Sequence, residues 1–160
     1  VAVVLIGGGS RSGKSRFALE RARREGSNLV FIATAEAGDN EMRERIARHR
    51  AERGDEFRTV EAPVELAAAI RSSEGDAIVV DCLTLWLANT MTGEFTDLQA
   101  AARASRSCVI LVTNEVGCGI VPENALAREF RDRAGILNQR MAECADEVYW
   151  MVFGQPLRVK

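Results

Sequence analysis

The sequence predicts an α/β fold around a mostly parallel sheet. Three observations point there. Short apolar runs recur along the chain and are continuous rather than alternating, the pattern of strands buried on both faces. Amphipathic helical runs separate them. A glycine-rich turn follows the first apolar run and opens the first helix.

Taken in order, the candidate strands are Val1–Ile6, Leu29–Ala33, Ala77–Asp81, Cys108–Thr113 and Glu147–Phe153. Phe57–Val60 is a weaker sixth run. Leu157–Val159 reads as an edge strand or hairpin return, because Gly154 and Pro156 favour a turn before it. The helical patterns are Lys14–Glu25, Glu41–Arg53, Val64–Ser72, Leu83–Met91, Asp97–Ser105 and Glu123–Ala145, the last with a break expected near Gly135. The apolar Leu83–Leu87 run suits a core or an interface equally. In such sheets ligands bind at the carboxyl ends of the strands, and the candidate site residues fall there.

Composition narrows the function. The 160 residues are 47% hydrophobic and 28% charged, and read as a single domain spanning 1–160. Twenty-one Lys plus Arg oppose 23 Asp plus Glu, a net charge of −2, so no basic field exists to hold a nucleic-acid backbone. No apolar stretch approaches the ~20 residues of a bilayer span, and Val1–Ile6 lacks a signal peptide's charged leader. Cys82, Cys108, Cys118 and Cys144 are widely spaced without a C-x-x-C pair. The expectation is a cytoplasmic protein with reduced thiols.

The strongest motif is Gly8-Gly9-Ser10-Arg11-Ser12-Gly13-Lys14-Ser15, which matches G-x-x-x-x-G-K-[ST] between a strand and a helix. Its glycines let backbone N–H groups curl around phosphate oxygens, and the helix N-terminus adds partial positive charge. Lys14 can reach the β- and γ-phosphates, and the Ser15 hydroxyl can ligate Mg²⁺. Asp81 ends an apolar strand and is the candidate second Mg²⁺ group; its other reading is the N-cap of the following helix.

The one histidine, His49, stands in an arginine-rich segment. If that segment is helical, Arg45, His49 and Arg53 form one row, with Met42 and Ile46 beside it pressing toward the core. A neutral imidazole is a nucleophile, neighbouring cations disfavour its protonation, and the same arginines can bind phosphate. A surface helix with an incidental histidine gives the same pattern. Beyond Thr113, the Gly-rich polar loop Asn114–Asn124 is either a ligand contact or a connection, with Glu123 in the first turn of the next helix.

Assembled, these motifs resemble the bifunctional adenosylcobinamide kinase / adenosylcobinamide-phosphate guanylyltransferase family. The resemblance covers nearly the whole chain. It rests on Gly7-Gly8-Gly9-Ser10-Arg11-Ser12-Gly13-Lys14-Ser15-Arg16, Phe31-Ile32-Ala33-Thr34-Ala35, Arg45-Ile46-Ala47-Arg48-His49-Arg50, Thr59-Val60-Glu61-Ala62-Pro63 and Asp81-Cys82-Leu83-Thr84-Leu85-Trp86-Leu87-Ala88-Asn89. Most specific is Thr113-Asn114-Glu115-Val116-Gly117-Cys118-Gly119-Ile120-Val121-Pro122-Glu123-Asn124, followed by Phe130–Gly135 and Asn138-Gln139-Arg140. The sequence departs from the family pattern where Gly54 follows Arg53 and Phe57 stands as the next aromatic, and it is short between Met91 and Cys108.

The resemblance implies a three-layer P-loop NTPase fold of RecA-like type and two reactions. ATP or GTP phosphorylates the aminopropanol hydroxyl of adenosylcobinamide. His49 then attacks the α-phosphate of GTP, and adenosylcobinamide phosphate takes the GMP from the histidine to give adenosylcobinamide-GDP. The resemblance places the nucleotide against Gly8, Gly9, Ser10, Arg11, Ser12, Gly13, Lys14, Ser15, Ala33, Thr34, Ala35, Arg50, Ala51, Glu52, Arg53 and Glu61, with Asp81 near the Mg²⁺, and it implies a homotrimer. A different P-loop small-molecule kinase without guanylyltransfer, or a nucleotide-dependent switch, are the other readings.

Overall fold

The computed structural model describes the whole chain, Val1–Lys160. The strands are β1 (Val3–Gly8), β2 (Leu29–Ala33), β3 (Phe57–Glu61), β4 (Ala77–Asp81), β5 (Cys108–Asn114), β6 (Glu147–Val152) and β7 (Gln155–Arg158). The helices are α1 (Lys14–Arg23), α2 (Asn40–Arg53), α3 (Leu66–Ser72), α4 (Leu83–Thr90), α5 (Thr96–Ala104) and α6 (Ala125–Cys144). All strands join one sheet in the order β3-β2-β4-β5-β1-β6-β7. Six run parallel, and β7 folds back antiparallel on β6.

The apolar runs explain the layers. Successive strand residues point to opposite faces, so a run without polar interruption feeds two cores. One core takes Val3, Leu5, Val30, Ile32, Ile78, Val80, Val109 and Leu111, covered by α3, α4, α5 and α6. The other takes Val4, Ile6, Leu29, Phe31, Val79, Ile110 and Val112, covered by Phe17, Ala18, Leu19 and Ala22 of α1. Helices therefore flank the sheet on both faces, the three-layer arrangement. Burial of each such Leu or Ile contributes about 1.5–3 kcal/mol.

Several expectations meet the structure unevenly. Leu83 and Leu87 are fully buried, so that run is core. β3 is weakly apolar because it is an edge strand with β2 as its only neighbour. The predicted break at Gly135 is absent. Gly135 carries the helical conformation inside α6, where it costs roughly 1 kcal/mol relative to Ala, within what the packing of Ala134, Leu137 and Met141 offsets. Glu123 lies outside α6. Asn124 caps it, accepting from the backbone N–H groups of Leu126 and Ala127. Met42 and Ile46 do not press α2 into the core: both are half-buried, and Arg53 is the buried residue of that helix.

Candidate functional site

The phosphate loop bridges β1 and α1 at the carboxyl edge of the sheet. Gly8 ends β1 between Asn114 of β5 and Met151 of β6. Gly13 caps α1 with φ +92°, and a Cβ there would lie 3.4 Å from the Cα of Gly154 in the β6–β7 turn. Only glycine takes that conformation in that space without strain. Lys14 is buried, with 7% of its surface exposed, and its ammonium donates to the Gly9 carbonyl and, at 3.4 Å, to Ser12 Oγ. Burial pushes its pKa down, against the pull of Asp81. Ser10 and Arg11 are exposed, and Gly9 and Ser12 half-buried, on the outer side of the loop.

Ser15 Oγ donates to Asp81 Oδ2 at 2.6 Å. This contact joins positions 66 residues apart and settles which way Asp81 points. The N-cap position of α4 is Cys82, and Asp81 turns to the phosphate loop. A hydroxyl and a carboxylate side by side at a lysine fit the donor set of a Mg²⁺ that keeps phosphate and water ligands. No group of three or more His, Cys, Asp or Glu could hold a metal alone.

The strand register lines up the other candidates. Ala33 of β2 stands between Glu61 of β3 and Asp81 of β4. Glu61 is exposed, while Ala33 and Ala35 are half-buried. Thr34 is fully buried: its hydroxyl donates to the Cys82 carbonyl at 2.7 Å and accepts the Cys82 N–H at 2.8 Å. Asn89 donates to the carbonyls of Thr34 and Pro63. These bonds tie the ends of β2 and β4 together beside the phosphate loop.

The loop after β5 is tied to the same edge. The Asn114 N–H donates to Thr84 Oγ1, and Thr113 Oγ1 donates to Asn138 Oδ1 at 2.6 Å. The Glu115 N–H donates to the Gly8 carbonyl at 3.1 Å, and its carboxylate accepts from Trp150 Nε1 at 2.8 Å. Trp150 escapes a reading of the sequence alone. Trp150 looks like one more apolar strand residue. Asn138 is visible in the sequence as part of the Asn138-Gln139-Arg140 run, which does not reveal that it accepts from Thr113.

His49 rides on α2, which follows β2 and begins at Asp39, whose carboxylate caps Met42 N–H. Arg45, Arg50, Ala51 and Glu52 are exposed and His49 half-buried. Glu52 Oε2 lies 3.9 Å from His49 Nδ1, so the charged partner of the imidazole is a carboxylate. The expected row forms, since the segment is helical, but its far end is not at the surface. Arg53 turns inward, 5% exposed, its guanidinium 3.8 Å from the centroid of Phe31 and its Nη2 3.4 Å from Thr59 Oγ1. Burial, then the cation of Arg50, push its pKa down.

The arrangement can bind a triphosphate at β1–α1, hold a divalent cation at Ser15 and Asp81, and present an imidazole from the helix after β2. Comparison with known proteins bears on the fold and the family. The RadB recombinase structure matches with a TM-score of 0.50 at 14% identity, covering 93% of this chain and 73% of that one. An ATPase domain structure matches with a TM-score of 0.51 at 16% identity, covering 93% of this chain and 68% of that one. These likenesses show the P-loop ATPase fold. The bifunctional adenosylcobalamin biosynthesis protein CobP of Pseudomonas aeruginosa is 45% identical over 98% of this chain and 96% of its own. CobU of Salmonella typhimurium, of the same description, is 38% identical over 99% of both chains. Residues 4–159 match the family described as cobinamide kinase / cobinamide phosphate guanyltransferase. With that match spanning almost the whole chain and its motifs gathered on one sheet edge, the protein belongs to the cobinamide kinase / cobinamide phosphate guanyltransferase family.

Proposed function

We propose that this chain performs both reactions of its family on adenosylcobinamide, and that the two draw on different parts of one sheet edge. The observation that carries the reading is the Lys14–Ser15–Asp81 cluster at the carboxyl ends of β1 and β4, with the chain's one histidine on the helix after β2.

In the kinase step, the phosphate loop from Gly8 to Ser15 orients ATP or GTP, and Lys14 neutralises charge on the transferred γ-phosphoryl group. The corrinoid's hydroxyl oxygen forms the new P–O bond and gives up its proton to solvent, as the γ-phosphorus bond to the β-phosphate oxygen breaks and the nucleoside diphosphate leaves. Ser15 and Asp81 would hold Mg²⁺, which supplies further charge neutralisation when bound.

In the transfer step, His49 attacks the α-phosphorus of GTP. An N–P bond forms, and the P–O bond to pyrophosphate breaks. A phosphate oxygen of adenosylcobinamide phosphate then displaces the histidine, giving adenosylcobinamide-GDP. Glu52 lies 3.9 Å from Nδ1, beyond hydrogen-bond reach, so it adds a nearby negative charge and does not select one ring nitrogen. Ala33 and Glu61 are register partners at the carboxyl ends of β2 and β3, which supports their assignment, with Ala35 two residues beyond. The exposed apolar Trp150, Phe153 and Leu157 of the β6–β7 hairpin are a surface of the kind subunits cover, which supports a homotrimer. Four free cysteines suit a reducing cytoplasm.

Two labels test this reading. Label from γ-labelled ATP is expected on adenosylcobinamide. Label from α-labelled GTP is expected on the protein as an acid-labile, alkali-stable adduct that adenosylcobinamide phosphate removes. Corrinoid phosphorylation with no protein adduct would instead mark a kinase without guanylyltransfer.

A further inference from the structure

α2 is attached to the rest of the molecule in an unusual way. Its fourteen residues place one side chain, Arg53, in the interior. Neither of the two apolar cores includes a residue of α2. Its other side-chain hydrogen bonds stay within the helix and its cap: Asp39 to Met42 and Arg43 to Asn40.

Arg53 sits in a built socket. The flat guanidinium lies over the Phe31 ring at 3.8 Å, and Nη2 donates toward Thr59 Oγ1 at 3.4 Å. Phe31 and Thr59 are register partners across β2 and β3, so the socket belongs to the rigid sheet. Gly54 follows immediately with φ +69°, and the helix ends there. Burying a guanidinium is costly unless specific partners receive it, and an aromatic face with a hydroxyl is such a set. His49 precedes Arg53 by one helical turn, on the same face.

We propose that Arg53 is a positioning residue for guanylyl transfer: it pins the last turn of α2 to the β2–β3 ledge and so sets where the His49 imidazole stands relative to the nucleotide. The proposal rests on His49 as the nucleophile. It gives Arg53 a role other than direct nucleotide contact, which the family resemblance implies for this position. A planar group is required, because an ammonium does not stack on a ring in the same way.

The test compares Arg53→Met, Arg53→Lys, Phe31→Leu and Thr59→Val with the wild type. Single-turnover formation of the histidine adduct is followed against GTP concentration, and amide exchange across residues 40–53 is measured beside it. If Arg53 anchors the helix, Phe31→Leu reproduces the Arg53→Met defect: the maximal rate of adduct formation falls by about tenfold or more, while half-saturating GTP moves by less than about threefold. Exchange over α2 rises in both variants and not over α1. Thr59→Val gives a smaller change of the same kind, and Arg53→Lys fails to restore the rate. A large rise in half-saturating GTP for Arg53→Met, with Phe31→Leu and Thr59→Val unaffected, would overturn the anchor and make Arg53 a nucleotide ligand. Unchanged exchange over α2 would also overturn it. Absence of any adduct in the wild type is a different outcome and refutes the reading of His49, while the exchange measurement still decides the anchor.

Discussion

The phosphate loop and α2, which the proposed mechanism brings to one nucleotide, are built by opposite rules. Lys14 and Ser15 open α1 beside Asp81 at the end of β4, with α1 packed on the sheet through Phe17, Ala18, Leu19 and Ala22. α2 stands outside both cores and is held at one end by a single arginine. Phosphoryl transfer depends on positioning and charge placement, so its groups gain from a rigid, close-packed frame. A nucleophile that must form a bond, carry GMP and surrender it gains from access. If each region carries the step proposed for it, the difference makes the two chemistries separable, so that a substitution removes one without the other.

The largest effects should show that separation. His49→Ala is expected to abolish the GMP adduct while leaving corrinoid phosphorylation within about twofold, because no atom of His49 belongs to the phosphate loop. Lys14→Ala is expected to lower phosphoryl transfer by about 10²–10³-fold, the usual cost of removing one preorganised charge-stabilising group. Parallel loss of both activities in His49→Ala would break the comparison.

Stability should differ in the same sense. Ile110 is fully buried in the second core, and Ile110→Ala is expected to cost about 2–5 kcal/mol in urea unfolding. Ile46, half-buried on α2, is expected to cost less than about 1 kcal/mol when changed to Ala. Equal losses would mean that α2 packs as core.

An effect confined to alkaline pH is also expected. Burial, aided by the neighbouring Asp81 carboxylate, pushes the Cys82 thiol up to about 11 from its ordinary value of 9.0. A folded-state value raised above the unfolded one gives stability that is complete below pH 9.0 and is lost as pH climbs through about 11. The full loss for this group is on the order of 3 kcal/mol. Cys82→Ala should flatten the fall in urea stability between neutral pH and pH 10.5 by up to that order of magnitude. An unchanged slope would place the alkaline weakness elsewhere.

Much of this fold is legible in the sequence because buried parallel strands carry no polar interruption, as Ala77–Val80 and Val109–Val112 show. The phosphate loop is legible because its geometry demands glycine and lysine at fixed spacing. Asp81 is half legible: cap and carboxylate look alike until Ser15 is seen 2.6 Å away from a position far along the chain. The posture of α2 is not legible at all. An arginine reads as solvent-exposed, and only the apposition of Phe31 and Thr59 across two strands creates a place to bury it. The unbroken α6 escapes for a similar reason, since the cost of Gly135 is local and its compensation lies in neighbouring packing.

The most direct measurement is mass spectrometry of the protein after incubation with GTP alone, digested under alkaline conditions that preserve a phosphoramidate. The account predicts a GMP mass on the peptide carrying His49, absent in His49→Ala and removed from the wild type by adenosylcobinamide phosphate. A GMP mass on any other residue, or none on a protein that still phosphorylates adenosylcobinamide, would contradict it.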